Sequence, residues 1–378
     1  MKTLIITEVR VYKVNNKYYT DNSFSKVLEK YSFKFENISL LTRITDHKEV
    51  PNGYIDISSY ISKFINLGQL EKYIIKSNSK QISKIVFDSD FIILRVPSLA
   101  CSLTYKYIKR FKKKYMIEAM GCAWDDYWNH GILGKILAPY MFFKTKNIVK
   151  KANYAVYVTK DFLQKRYPCK GKSINASNVN IDKTYDQKNY NHFNKANFTM
   201  FTAAALNVKY KGQNLVIKAI KDLKKEGINI KYYLAGKGDN IYLKKIAKKN
   251  GVSENIIFLG MISKKELFNQ MIQTDIYIQP SLQEGLPRSL IEAMSCGCVC
   301  LGSTTAGIPE LLQKDQIFIR GSKKAIIKAI KNNLNNDFNK ISKQNIEKSK
   351  EYLADILNKK RFGFYEMILY ELNNKTNK

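Results

Sequence analysis

Acids, arginine, histidine and cysteine are all scarce in this 378-residue chain, and each scarcity excludes something. Thirty-two Asp and Glu stand against 64 Lys and Arg, a formal net charge of +32. Only eight of those bases are arginine, whereas a nucleic-acid site leans on Arg forks as well as Lys point charges. No basic-aromatic module accompanies the charge, so no nucleic-acid partner is expected. Six cysteines, none in a CxxC pair, exclude a disulfide framework and point to a reduced, cytoplasmic chain. Three dispersed histidines, His47, His130 and His192, offer no ligand cluster, and no metal is expected. Apolar runs such as 136–143 stop well short of the ~18 residues of a membrane span. The opening run 4–7 is too short for a signal-peptide core.

What is present is a globular composition, 45% hydrophobic and 25% charged, long enough for two domains. In the second half, strands are predicted at 198–204, 230–235, 256–259, 276–279, 299–302 and 317–319. Helices are predicted between them at 212–225, 241–249, 264–272 and 287–296. The first half alternates less cleanly, with strands at 4–7, 38–42, 91–95, 115–119 and 154–158. Its helices are expected at 23–34, 69–87, 99–113 and 132–151. A helical pattern also runs from 338 to 374. Such alternation predicts an α/β fold with parallel sheets covered on both faces, whose ligands sit at the carboxyl ends of the strands. The stretch 170–197 is rich in Asn, Lys and Ser and reads as a connection. The expected division is 1–172, a linker at 173–197, 198–355, and a C-terminal helix at 356–378 returning toward the first domain.

Residues 275–312 carry the chemistry: DIYIQPSLQEGLPRSLIEAMSCGCVCLGSTTAGIPELL. A buried strand ends at Gln279-Pro280-Ser281, and a short loop with Glu284 and Gly285 enters a helix at Pro287. The free N–H groups of Gly285, Leu286 and the following turn, with the helix dipole, suit a diphosphate. Glycine at 285 allows close approach to the backbone. Glu292 is placed to accept hydrogen bonds from a ribose diol, and Glu284 from a sugar hydroxyl. The alternative is a surface ladder of Glu284, Arg288 and Glu292, worth about 0.3–0.5 kcal/mol per pair. Cys296, Cys298 and Cys300 run from a helix end into a strand and read as buried small hydrophobes rather than metal ligands.

This segment resembles the retaining glycosyltransferases of family 4, which have the GT-B fold. Their hallmark run stands here as Pro280, Ser281, Glu284, Gly285, Pro287, Glu292, Ala293, Met294 and Gly297. Residues 304–310, Thr-Thr-Ala-Gly-Ile-Pro-Glu, are similar to the small-residue loop that follows it. Lys211 with Gly212 resembles the family's donor-diphosphate element, with Leu206 where an arginine is usual and Lys209 as a substitute cation. Gly236-Lys237-Gly238 looks like the turn near the donor, and Gly260-Met261 like the loop that contacts the base. Residues 178–182 look like a degenerate form of the family's linker. The resemblance covers about residues 150–320 and is poor in the first domain, where the usual Gly-Gly loop after the first strand is missing.

The resemblance implies a GT-B architecture, two Rossmann-like domains facing across a cleft, with 1–172 binding acceptor and 198–355 binding donor. It implies transfer of a sugar, with retention, from a nucleotide diphosphate sugar to a glycan or lipid-linked saccharide in cell-surface polysaccharide synthesis. Glu284 and Lys211 are the implied catalytic residues; Asp125 and His130, after the strand at 115–119, are read from the residues as further catalytic candidates, beside the alternatives of a helix N-cap and a polar surface residue. Glu292, Gly285, Leu286, Pro287, Lys209, Gly236, Gly238, Gly260 and Met261 are implied at the donor, and Arg95 and Trp124 at the acceptor. No cofactor is implied, because lysine and the helix dipole take the place of a metal. The alternative is a catalytically silent GT-B subunit that binds a sugar or a partner protein. Lys106, Lys109, Arg110, Lys112, Lys113 and Lys114, followed by Lys144, Lys146, Lys150 and Lys151 after an apolar stretch, form a basic amphipathic pattern. That pattern suits peripheral attachment to an anionic membrane surface on its cytoplasmic side.

Overall fold

The computed structural model of the chain describes residues 1–71, 74–76 and 79–374. It divides into two compact units, Met1–Asn178 with the C-terminal residues from Lys359, and Val179–Asn358. The chain therefore passes between units at 178/179. Lys172–Asn175, expected in the linker, is a strand of the first unit.

The first unit is built on β1 (Thr3–Val14), α1 (Asn22–Ser32), β2 (Ile38–Asp46), β3 (Phe91–Val96) and α2 (Leu99–Arg110). These are followed by β4 (Lys114–Ala119), α3 (Ala123–Trp128), α4 (Gly131–Lys150), β5 (Tyr154–Tyr157) and β6 (Lys172–Asn175). The parallel order is β6-β5-β4-β3-β1-β2, with Lys63–Asn66 beyond β2. Every residue of β3 and β5 is buried, the pattern of strands covered on both faces. α1 starts where the Asp21 carboxylate accepts from the amides of Ser23 and Phe24.

Three expectations for this unit need correction. The strand predicted at 4–7 continues to Val14, turns at Asn15-Asn16, and returns antiparallel as Lys17–Asp21. Both turn residues have positive φ (48° and 61°), the turn that matches strand twist, and asparagine tolerates it. The helix predicted at 69–87 holds only as Ser79–Asp88; Gln69–Glu71 and Ile74–Lys76 form an antiparallel pair in which adjacent β-branched residues favour extension. Its residues 72, 73, 77 and 78 lie outside the described residues. The helix predicted to 113 stops at Arg110, because Lys112 turns to φ 50°.

In the second unit, β7 (Asn197–Ala203), α5 (Gln213–Lys225), β8 (Asn229–Ala235) and β9 (Ile256–Gly260) are followed by α6 (Lys264–Gln273) and β10 (Ile276–Gln279). α7 (Arg288–Ser295), β11 (Val299–Ser303) and β12 (Ile317–Phe318) complete the core. All strands are parallel, in the order β9-β8-β7-β10-β11-β12. The chain fills one side of β7, then crosses to fill the other, so the strand order reverses between β7 and β10. That is where a doubly wound sheet opens a crevice at its carboxyl edge. Leu290, Ile291, Ala293 and Met294 bury one face of α7.

The tail predicted as one helical pattern is two helices, Phe338–Ser349 and α8 (Ala354–Asn373), broken by a tight turn at Lys350–Tyr352. Phe364, Tyr365 and Ile368 of α8 join the core of the first unit with Ile5, Phe35 and Ile93.

Candidate active site

The carboxyl edge of the second sheet gathers most of the donor-side residues. β10 is wholly buried and ends at Gln279, after which the chain must turn away from the sheet. The turn is held from two sides. The Ser281 carbonyl accepts from Ser303 Oγ and Thr305 Oγ1, both at 2.6 Å, and Gly285 O accepts from the Gly307 amide at 3.0 Å. On the other side the Leu282 amide donates to Tyr210 O at 2.7 Å. Gly212 lies against this loop with φ 78°, and a Cβ there would stand 2.1 Å from Pro280 O, so only glycine fits.

This close approach brings Lys211, which follows β7, to Glu284, which follows β10. Lys211 Nζ lies 2.7 Å from Glu284 Oε1, with both side chains largely buried. Gln279 Nε2 donates to the same oxygen at 3.1 Å and to Ser281 Oγ at 2.9 Å. Gln279 Oε1 in turn accepts from Tyr277 and Ser289 hydroxyls. The ion pair thus sits at the reversal of strand order, on a scaffold of satisfied polar groups. Sequence reasoning named Gln279 only as a strand end and missed Tyr277; the signal was a polar residue ending an apolar strand.

Glu292 lies one turn into α7, 8% exposed, and its carboxylate has no hydrogen-bond or ion-pair partner among the described residues. Burial pushes its pKa up, against the opposing pull of Arg288 and Lys264. Lys264 and Asp182 line a hollow of about 350 Å³ together with Tyr185 and Phe268, whose rings lie 5.3 Å apart. Sequence reasoning did not identify this hollow.

The neighbouring strand ends are tied in. The Gly236 amide donates to Gly260 O at 2.8 Å, and a Cβ on Gly236 would stand 2.0 Å from Ala204 O. Gly238 lies against Asn207 in the same way, while Met261 is 80% exposed at the tip of β9. Leu286 is buried, and Pro287 caps α7 from just outside it rather than occupying its first position. Leu206, where the resemblance expects an arginine, is a core residue at 2% exposure. Lys209 sets its ammonium over the Tyr242 ring at 5.2 Å.

The first-unit residues fare differently. Arg95, expected at the acceptor, is buried: its Nε lies 2.8 Å from Glu118, and its guanidinium covers the Phe24 ring at 4.8 Å. Glu118 is fully buried and also receives Arg361 at 2.8 Å, Tyr31 Oη at 2.6 Å and Asn178 Nδ2 at 2.9 Å. Trp124, expected as a sugar platform, stacks on Trp128 at 5.2 Å, so one of its faces is already covered. Asp125 is buried in the first turn of α3, and His130 is exposed at the junction of α3 and α4. Among the described residues no three His, Cys, Asp or Glu group as metal ligands. Cys298 and Cys300 are buried, with Cys298 Sγ donating to Met271 O at 2.9 Å. The one Asp-x-Asp, Asp88–Asp90, is at the opposite edge of the first sheet, where Asp90 accepts from the Lys2 amide.

Two parallel-sheet α/β units, the second with an anion-suited loop at its reversal of strand order, have the GT-B architecture. Solved structures share this architecture. Sucrose-phosphate synthase from Thermosynechococcus elongatus matches at a TM-score of 0.67 with 12% identity, over 98% of this chain and all of that one. HepE of Anabaena, solved in complex with UDP and glucose, matches at 0.64 with 13% identity over 97% of this chain and all of its own. Residues 182–352 match the glycosyl transferases group 1 family. Protein CapJ of Staphylococcus aureus is 34% identical over 331 residues, covering 84% of this chain and 82% of CapJ. The amylovoran biosynthesis glycosyltransferase AmsK of Erwinia amylovora is 34% identical over 110 residues, 27% of each chain. The chain belongs to the glycosyl transferases group 1 family.

Proposed function

We propose that the chain is a retaining, metal-independent glycosyltransferase that moves a sugar from a nucleotide diphosphate sugar to a glycan or lipid-linked acceptor in surface-polysaccharide synthesis. The observation that carries this is the Lys211–Glu284 pair at the reversal of strand order, beside the start of α7. In the reaction the bond from the anomeric carbon to the donor phosphate breaks. A bond to the acceptor oxygen forms on the same face, and the acceptor proton leaves with the diphosphate. Lys211, the Leu286 amide in the loop and the first amides of α7 from Arg288 take up the charge on that diphosphate. Glu284 holds Lys211 before the donor arrives and then orients the sugar. Glu292, buried with no partner among the described residues, accepts from the ribose diol, which supplies the hydrogen bonds it lacks. Gly236, Gly238, Gly260 and Met261 border the nucleotide. Asp125 and His130 are assigned to the acceptor side of the reaction. HepE's complexes with UDP make uridine nucleotides the first donors to test. AmsK's role in amylovoran biosynthesis supports a polysaccharide acceptor.

The test is calorimetry with UDP and nucleotide-sugar turnover on the intact chain. Lys211→Ala and Glu292→Ala should each weaken UDP binding about ten- to a hundredfold, the worth of a charge-assisted hydrogen bond. If both variants bind and transfer as wild type, the assignment fails. Leu206 in place of an arginine gives a second reading its support, a GT-B subunit that binds nucleotide without turnover. UDP binding with no transfer or hydrolysis across a panel of nucleotide sugars would select it.

A further inference from the structure

Among the described residues, α4 (Gly131–Lys150) carries the largest group of bare apolar side chains. Ile132 is 80% exposed, Leu133 54%, Ile136 68%, Tyr140 57% and Phe143 66%. Their spacing of three and four residues puts them on one face, while Ala138, Met141, Thr145 and Ile148 bury the other. Scattered exposed apolar residues are ordinary, but a contiguous stripe of this kind marks an interaction surface. Trp128, 41% exposed at the end of α3, stacks on Trp124 and carries the Lys135 ammonium of α4 over its ring.

The same face changes character along its length. Beyond Phe143 its exposed positions are Lys146, Asn147 and Lys150. Lys150 and Lys151 then enter an open hollow walled by Lys114, Lys170 and Lys172, with Glu371 as its one acid. α2 packs beside α4 and exposes Lys106, Lys109 and Arg110. No acid interrupts this surface from its own sequence: none stands between Asp90 and Glu118, nor between Asp126 and Asp161.

We propose that α4 is a membrane-docking helix, whose apolar half inserts into the interface of an anionic leaflet while its lysine-bearing half engages the headgroups. The charge complementarity selects the occupant. A protein partner would need only the apolar stripe, whereas an anionic bilayer uses both the stripe and the lysine-rich surround, in whose hollow Glu371 is the one acid. Tyr140, amphipathic and at the boundary between the two halves, suits the interfacial level. The helix is about 30 Å long, so both halves reach one flat surface. This surface lies in the first unit and does not rest on the donor-site reading.

The test is flotation of the intact chain with phosphatidylcholine vesicles, with and without phosphatidylglycerol, at low and high salt. Wild type should float with the anionic vesicles only, and less at high salt. The exposed pair Ile136→Ser and Phe143→Ser should weaken binding about tenfold or more by removing buried apolar area. Lys146→Glu with Lys150→Glu should do the same through charge. Circular dichroism and UDP binding should be unchanged in both variants. The proposal is overturned if wild type does not float, or if both variants float as wild type does. It is also overturned if wild type is a dimer that Ile136→Ser with Phe143→Ser disperses, since the stripe would then belong to a second copy.

Discussion

Glu118 is a carboxylate in the interior of a parallel strand, a position that costs several kcal/mol unless every lone pair is used. Burial raises its pKa, but Arg95, Arg361, Tyr31 and Asn178 outweigh that and bring it down to about 2. A depressed folded-state value means that this stabilisation is complete above the ordinary carboxylate range and is lost as pH falls toward 2. Removing the charge at neutral pH strands two buried guanidinium groups. Glu118→Gln should therefore lower the stability of the first unit by about 3–5 kcal/mol, read as the denaturant midpoint. Glu292 has the opposite sign. Its raised pKa means that the fold keeps the proton longer than the unfolded chain does, so stability falls as pH rises through the folded-state value. Glu292→Gln cannot ionise. Its Tm should exceed that of wild type at neutral pH and converge with it in acid, while UDP binding weakens at neutral pH. A Tm difference independent of pH would show that burial of the charge is not the cause.

At the level of the element, the loop between β10 and α7 takes its shape from a neighbour remote in sequence. Gly212 lets the 209–211 turn touch Pro280, and the contact sets Lys211 against Glu284. Gly212→Ala combines a positive φ with a Cβ 2.1 Å from a carbonyl oxygen. It should cost about 1–3 kcal/mol of stability and, by displacing Lys211, reduce UDP affinity; calorimetry beside a melting curve checks both. The hallmark run around Glu284 and Glu292 was legible because its spacing is local. The partners of Glu118 were not, since Arg95, Arg361 and Asn178 come from three separate parts of the chain. The legible trace was one acid in the apolar strand 115–119, which has no place in a buried strand unless something pairs with it.

On the scale of the whole molecule, each unit has its own hydrophobic core, and the donor-side residues 206–292 all belong to the second. Residues 179–358 expressed alone should fold cooperatively and keep UDP affinity within about threefold of the intact chain, measured by calorimetry. The first unit has no such independence, because Phe364, Tyr365 and Ile368 of α8 complete its core. Each such side chain is worth roughly 1.5–3 kcal/mol of burial.

By itself the sequence determined the alternation of strand and helix in both halves, the donor-side run and the basic, acid-poor character of residues 99–151. Period and local spacing encode these, and neither depends on what packs where. Tertiary structure alone decided that Lys211 meets Glu284, that Arg95 is a buried partner of Glu118, and that one face of α4 stays bare. Those outcomes depend on which strand ends become neighbours and which helix face finds a core, and only the assembled sheets settle that.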